Sequence, residues 1–231
     1  MISVVIPTLN EKNNIKKISN NLLSISLVKE IIFVDDNSID GTYKEILNIK
    51  KNKKKILAIK RQNKKKDLSK SIILGVKQAK YETICIMDCD LQHDVRYINS
   101  MWKKYKKKKV DLVVASRFVK KSYSGNLGFI RSLLSNFAVT VIINIFGKKT
   151  TDPLSGFFLC DKKIITDHAN QFFLKGYKIL FDILYNGKKN LKVSDLEIVF
   201  KKRYSDQSKF SLRIILIFIK QMIYTKFLAK F

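Results

Sequence analysis

Ile84-Cys85-Ile86-Met87-Asp88-Cys89-Asp90-Leu91-Gln92-His93-Asp94 is the stretch on which the reading of this chain turns. Four apolar residues run directly into two aspartates one residue apart. An unbroken apolar run that ends on polar residues is the pattern of a buried parallel strand closing at a sheet edge. In extended backbone the side chains at i and i+2 point to one side, so Asp88 and Asp90 present their carboxylates together. Hard divalent cations, Mg²⁺ and Mn²⁺ among them, are held by one or two such carboxylates with substrate phosphates and water completing the shell. Gln92 keeps the same spacing and offers a neutral oxygen. A lone Asp-x-Asp also describes an acidic turn after a strand. The five-residue Asp-x-Asp-Leu-Gln joined to its strand is the more specific signal.

The same grammar recurs upstream. Ile2–Ile6 is a β-rich run stopped by Pro7, with Thr8-Leu9-Asn10-Glu11 and a helical period (Ile15, Ile18, Leu22) behind it, Asn10 standing where an N-cap is expected. Glu30–Val34 closes on the turn-forming Asp35–Thr42, and a helix follows to about Ile49. Ile56–Ile59 is a third strand and Leu68–Ala79 a helix. Strands alternating with helices predict an α/β fold, a mostly parallel sheet with right-handed crossovers. Ligands of such sheets gather at the carboxyl ends of strands. Three polar clusters fall there: Pro7–Glu11, Asp35–Asp40 and Asp88–Gln92. A metal-bound nucleotide fits that convergence. No G-x-G-x-x-G follows the first strand and no G-x-x-x-x-G-K-[ST] occurs, which argues against dinucleotide and P-loop sites.

With 231 residues, 46% of them hydrophobic, the chain can bury one large domain or two small ones. Its formal net charge of +27 has two readings: a surface for anionic partners, or drift of composition toward Lys, Asn and Ile. The runs Lys50–Lys55 and Lys103–Lys109 read as solvated helix ends. Cys85, Cys89 and Cys160 have no metal-binding spacing. With no charged-then-apolar leader at Met1, they point to a reducing, cytoplasmic setting. No uninterrupted apolar stretch is long enough to span a bilayer.

The second half continues with a strand at Asp111–Ala115 ending on Ser116-Arg117. Asn126–Phe146 has a helical period with a narrow polar stripe (Ser132, Asn136, Thr140, Asn144), as a core helix or an interfacial one would. Thr151–Gly156 is a turn before apolar residues. A helix after Gly176-Tyr177-Lys178 carries Asp182, and Val193–Val199 is a strand. Leu212–Phe231 is apolar with Arg213, Lys220, Lys226 and Lys230 interspersed, a basic amphipathic helix.

Val-Val-Ile-Pro-Thr-Leu-Asn-Glu (4–11), Val-Asp-Asp-Asn-Ser-x-Asp-Gly-Thr (34–42) and Asp-Cys-Asp-Leu-Gln-His (88–93) resemble family 2 glycosyltransferases of the GT-A fold. Ser116-Arg117, Arg131 with Ser135, Asp152-Pro-Leu-Ser-Gly-Phe-Phe and Arg203 with Ser208-Lys209 narrow the resemblance to dolichol-phosphate mannose synthases and related polyprenyl-phosphate hexosyltransferases. The motifs keep the family's order over residues 1–209. The resemblance implies a GT-A catalytic domain over 1–210; 211–231, beyond it, is the basic amphipathic helix, open to a membrane-interfacial role or to core packing. The resemblance also implies that Pro7, Leu9, Glu11, Val34 and Asp36 line the nucleotide site. Asp88, Cys89 and Asp90 contact the donor, and Asp88, Asp90 and Gln92 hold Mg²⁺ or Mn²⁺. Arg117, Arg131, Arg203 and Lys209 surround the donor and acceptor phosphates, a task suited to the bidentate guanidinium. Asp182 is the one candidate base. The chain departs from the family at Tyr81 and Asp206, where Gly is usual, at Asp94, often Pro, and at Asp182, usually Glu.

The activity so implied is inverting transfer of a hexose, mannose from GDP-mannose foremost, to a polyprenyl phosphate. The setting is the cytoplasmic face of a membrane, reached peripherally or through a small membrane partner subunit. The acceptor phosphate, with a second pKa near 6, is largely deprotonated at neutral pH and needs no strong base. One alternative is another donor (UDP-glucose, UDP-GlcNAc) or a saccharide acceptor; the Gln-x-x-Arg-Trp of processive synthases is absent, and Trp102 lies elsewhere. A sugar-phosphate nucleotidyltransferase would need a Gly-rich basic loop after the first strand, which Pro7–Glu11 lacks. A basic nucleic-acid-binding protein is the distant alternative; no recognition motif supports it, and no nucleic-acid partner is expected.

Overall fold

The computed structural model describes residues 1–62, 65–118, 129–201 and 212–228, with the backbone alone at 129–134, 212 and 228. Seven strands form one sheet: β1 (Ile2–Thr8), β2 (Val28–Asp35), β3 (Ile56–Lys60), β4 (Thr83–Ile86), β5 (Leu112–Ser116), β6 (Phe158–Asp161) and β7 (Val193–Glu197). Their order is β3-β2-β1-β4-β6-β5-β7. All pairings are parallel except those of β6, which runs antiparallel between β4 and β5. Every residue of β1 and β4 is buried, as strands covered on both faces must be. The half-exposed β3 forms one edge.

Helices cover both faces. On one side α1 (Lys12–Leu23), α2 (Thr42–Lys51) and α4 (Tyr97–Lys108) bury Ile15, Ile18, Leu22, Ile46, Ile98 and Met101 against Val4, Ile6 and Phe33. On the other, α3 (Leu68–Gln78), the short α6 (Lys162–Thr166) and α7 (Ile179–Tyr185) pack on Val5, Ile32, Ile84 and Val114. Gly75 lets α3 close on the sheet: a Cβ there would meet Val5 Cγ1 at 2.6 Å and Val34 Cγ2 at 2.9 Å. The remaining helices are α5 (Phe129–Phe146) and α8 (Leu212–Ile223), the latter continuing as a short π-helical stretch, Tyr224–Leu228. They meet over Phe181, around Ile142, Leu154 and Phe218. Among the described residues no helix is long and apolar enough to cross a membrane.

The alternation of strands and helices expected from the sequence is present, with three differences. β6 reads in the sequence only as apolar residues after a turn, and its antiparallel insertion makes the sheet mixed. Val193–Glu197 ends two residues before the expected boundary. Asn10 does not cap α1. It adopts a left-handed conformation (φ 53°), and its carboxamide accepts from Ile39 N at 3.0 Å. The first turn of α1 is held instead by the next loop: Lys12 N donates to Asp40 Oδ2 (3.0 Å), and Glu11 N to Thr42 Oγ1 (2.8 Å). The two lysine runs do end helices and are largely exposed. The three thiols are buried and form no disulfide.

Candidate active site

A cavity of about 580 Å³ opens at the carboxyl ends of β1 and β4. Its polar edge is lined by Pro7, Leu9 and Glu11 from the β1–α1 loop, by Asp88, Cys89 and Asp90 beyond β4, and by Arg117 beyond β5. Six of the proposed nucleotide- and metal-site residues, with Arg117, therefore border one space. The parallel register sets this up: Val5 pairs with Ile86 and Pro7 with Val34, so the chain leaves both strands at one edge.

Asp88 is well exposed, its side chain 42% accessible, with His93 Nε2 3.8 Å from Oδ2. Asp90 is nearly buried and accepts from Gln92 N at 3.1 Å. The imidazole of His93 is buried between Phe157 and Phe200, both ring centroids at 5.1 Å, which fixes it beneath the loop. Gly156 lies directly against Asp88: a Cβ there would stand 2.2 Å from Oδ2. The glycine thus leaves room for a carboxylate facing the cavity. No group of three metal-ligating side chains occurs among the described residues. Two carboxylates and a space for phosphate oxygens are nonetheless the donor set of a hard divalent cation, which completes its shell from substrate and water. Asp88 and Asp90 fit that role.

Gln92 does not line the cavity; its carboxamide nitrogen donates to Lys201 O at 3.1 Å, and its backbone carbonyl accepts from Lys201 N at 2.9 Å. It ties the chain beyond β7 to the Asp88–Asp94 loop. Asp94, in the family's usual Pro position, adds a second tie, with Lys201 Nζ at 2.8 Å and Arg96 at 2.6 Å. Those bonds hold its carboxyl far below the usual carboxylate range.

The Asp35–Thr42 cluster faces inward. Asp35 accepts from Ser38 N (3.0 Å) and Ser38 Oγ (2.5 Å), and Asp40 from Thr42 N (2.9 Å) and Lys12 N. Val34 is core. Asp36 is buried and engaged by the Arg61 guanidinium on one oxygen and by Asp67 N (2.5 Å) on the other. Burial pushes its carboxyl up, more than the Asp67 amide and Arg61 pull it down. Arg61 also donates to Asp67 O (2.9 Å) and Ser71 Oγ (3.1 Å), anchoring the start of α3. Neither Val34 nor Asp36 is among the residues lining this cavity, and Asp36 is taken up by Arg61 and the Asp67 amide. Arg61 is the residue that sequence reasoning missed, since its partner lies 25 positions away.

Arg117 is gripped by buried Asp152, Nε to Oδ2 at 2.7 Å and Nη2 to Oδ1 at 2.9 Å. That fork holds the guanidinium at the cavity wall. Lys178, also unnoticed in the sequence, lines the cavity and donates to Leu154 O at 3.2 Å. Asp182 is not at the site. It is fully buried on α7, accepts from Asn186 Nδ2 at 2.8 Å, and its Oδ2 has no hydrogen bond of ordinary geometry. Burial raises its carboxyl to about 6 against the opposing pull of Gln221, the Phe173 amide and Asn186. A side chain sealed under α8 cannot serve as the base. The side chain of Arg131, and Arg203, Asp206 and Lys209 entirely, lie outside the described residues.

The cavity's other half is apolar. Phe137, Ala138 and Val141 of α5 face it, as do Ile214, Ile215, Phe218, Ile219 and Met222 of α8, with Leu68 and Ile72 of α3 below.

Comparison with known proteins agrees with this architecture. Glucosyl-3-phosphoglycerate synthase of Mycobacterium tuberculosis, solved with Mn²⁺, UDP-glucose and phosphoglyceric acid, superposes with a TM-score of 0.73 at 17% identity, over 99% of this chain and 79% of that one. The fold is that of the GT-A glycosyltransferases. The profile of Glycosyl transferase family 2 matches residues 3–168, and the chain belongs to that family. A dolichol-phosphate mannosyltransferase of Pyrococcus furiosus is 34% identical over 215 residues, 90% of this chain. The enzyme of the same name from Saccharomyces cerevisiae is 26% identical over 235 residues, 95% of this chain and 85% of that protein. The chain spans 58% of the length of the Pyrococcus protein.

Proposed function

We propose that this protein transfers a hexose, mannose from GDP-mannose first among the candidates, to a polyprenyl phosphate with inversion at the anomeric carbon. The observation that carries the reading is the two-sided cavity: carboxylates and Arg117 on one edge, aliphatic and aromatic side chains of α5 and α8 on the other. A nucleotide sugar needs the first and a prenyl chain the second, and one space of about 580 Å³ brings them together. The names of the archaeal and yeast relatives support the acceptor. A saccharide acceptor would find no use for the apolar wall.

Asp88 and Asp90 would hold a divalent cation, Mg²⁺ or Mn²⁺, which when bound neutralises charge on the leaving diphosphate. Pro7, Leu9 and Glu11 border the space for the nucleotide, and Arg117, fixed by Asp152, aims its remaining donors at phosphate oxygens. In the transfer an acceptor phosphate oxygen forms the bond to the anomeric carbon. The bond to the diphosphate breaks, and its electron pair leaves with the diphosphate. No proton need move, so the transfer does not call on Asp182 as a base. Arg131, Arg203 and Lys209 remain our candidates for further phosphate contacts, on the family motifs alone.

The site works at a membrane surface in this reading. Leu216, Ile219, Ile223 and Phe227 form an exposed apolar stripe at helical spacing, flanked by Arg213, Lys220 and Lys226. Phe137 and Ile145 are exposed on α5. Such faces sit at an anionic interface, the bases meeting headgroups. Three cysteines outside any disulfide support the cytoplasmic side.

Equilibrium binding of GDP and UDP, with and without Mn²⁺, tests the donor half. Binding that needs the metal and is lost in Asp88→Asn is expected. Metal-independent binding that survives the substitution would overturn the assignment.

A further inference from the structure

A second cavity, of about 440 Å³, lies on the other flank of α8, and the transfer chemistry makes no use of it. Six cationic side chains surround it: Lys65, Lys66 and Lys70 at the entry to α3, Lys175 before α7, and Arg213 and Lys220 on α8. All six are exposed, and none forms an ion pair with an acid among the described residues. Asp67, the sole acid lining the space, is nearly buried and caps α3, accepting from Lys70 N at 3.0 Å. The lysines at the ends of α2 and α4 are largely exposed and line neither cavity. These six converge on a concavity, which concentrates positive potential and favours an anion.

The lip of the cavity narrows the kind of anion. Leu216 and Ile217 close its α8 side, and Leu216, 59% exposed, is the first residue of the apolar stripe that continues through Ile219, Ile223 and Phe227. A cationic cup that passes into an apolar strip matches an amphiphile, charged at one end and aliphatic at the other. Ile217 and Tyr177 line both cavities, so whatever fills this one bears directly on the wall of the other.

We propose that the second cavity binds the phosphate headgroup of an anionic phospholipid, its acyl chains lying along the α8 stripe, and so seats the mouth of the transfer cavity on the bilayer. The proposal rests on the reading of α8 as membrane-facing but concerns a site apart from donor and acceptor.

The test uses the full chain and two triple variants of equal charge change. Lys65→Gln/Lys66→Gln/Lys70→Gln empties one wall of the cavity. Lys50→Gln/Lys51→Gln/Lys53→Gln removes the same charge from the exposed end of α2. Sedimentation is measured with vesicles of phosphatidylcholine alone and with added phosphatidylglycerol. The cavity variant should lose at least about tenfold in partitioning to phosphatidylglycerol vesicles and the α2 variant less than about twofold. Both should bind Mn²⁺ and GDP or UDP as the parent does.

Equal losses in the two variants would show a diffuse charge effect and overturn the proposal. Loss of nucleotide binding in the cavity variant would assign these lysines to the donor. Inorganic phosphate or glycerol phosphate that binds the parent as tightly as the vesicles do would make the ligand a free phosphate, not a lipid. Should the parent itself ignore phosphatidylglycerol vesicles, the membrane reading of α8 falls along with the site. A parent that binds while the cavity variant binds equally well removes the site alone.

Discussion

The carboxyl edge of β1, β2 and β4 and the cover that α5 and α8 place over the cavity at β1 and β4 are held in opposite ways. The edge is held by charge. Arg61 and Asp36 pair in the core, Asp40 and Thr42 tie down α1, and Gln92 and Asp94 tie down the chain beyond β7. The cover is held by apolar contact and by one buried polar cluster, Asp182 of α7 and Asn186 at its end against Gln221 and Thr225. It leaves large apolar side chains in solvent, Phe137, Leu216, Ile219, Ile223 and Phe227 among them. Metal and phosphate chemistry needs carboxylates fixed in place, and fixed charges need many hydrogen bonds. A lipid acceptor needs a surface that gives way, and dispersion contacts supply it.

The comparison breaks most sharply at Asp90. Asp90→Asn should cost at least about 10³-fold in transfer, or about 4 kcal/mol of barrier, with little change in melting temperature. Near-normal turnover would mean that the edge does not hold the metal. At Arg61 the expected loss is in stability. Arg61→Ala leaves the buried Asp36 carboxylate unpaired and should cost about 3–5 kcal/mol in denaturant unfolding. A loss under about 1 kcal/mol would show that the edge is held by its apolar core alone.

The cover answers through pH. Asp182 binds its proton more tightly folded than unfolded, since its carboxyl sits near 6 rather than at the ordinary 3.8. Its contribution is therefore full below the unfolded value and is lost as pH rises through about 6. Asp182→Asn, which keeps the shape without the titration, should gain on the parent by about 2–3 kcal/mol between acid and neutral pH. A difference in melting temperature that stays flat with pH would place the ionised form in the fold. The smallest effect is expected on the exposed stripe. Leu216→Glu with Ile223→Glu should lower vesicle binding about tenfold and leave nucleotide binding unchanged. Unaltered sedimentation would move the membrane contact to α5.

The edge was also the part that could be read from sequence. β1, β2, β4 and β5 are apolar, β-branched runs whose ends coincide with polar residues, and Pro7, Glu11, Asp88, Asp90 and Arg117 follow from those ends. What the sequence hid depended on distant partners. β6 is four residues long, Phe-Leu-Cys-Asp, has no β-branched residue, and is a strand only because β4 and β5 flank it. Asn10 has the chemistry of a cap, but Asp40 and Thr42 reach α1 first. Asp36 looks free until Arg61 is placed beside it. Asp182 is an acid on a helix in sequence, and only α8, some forty residues on, shows that it is sealed in. Gly156 makes no signal of its own, yet a side chain there would fill the space of Asp88.

The most direct test of the central claim is lipid extraction after incubation of the full chain with Mn²⁺, a polyprenyl phosphate and, in parallel, radiolabelled GDP-mannose, UDP-glucose and UDP-GlcNAc. The account predicts label in the lipid phase, greatest from GDP-mannose, abolished by chelation of the metal and dependent on the prenyl phosphate. Label that passes to a saccharide or to water, with none entering the lipid from any donor, would contradict it.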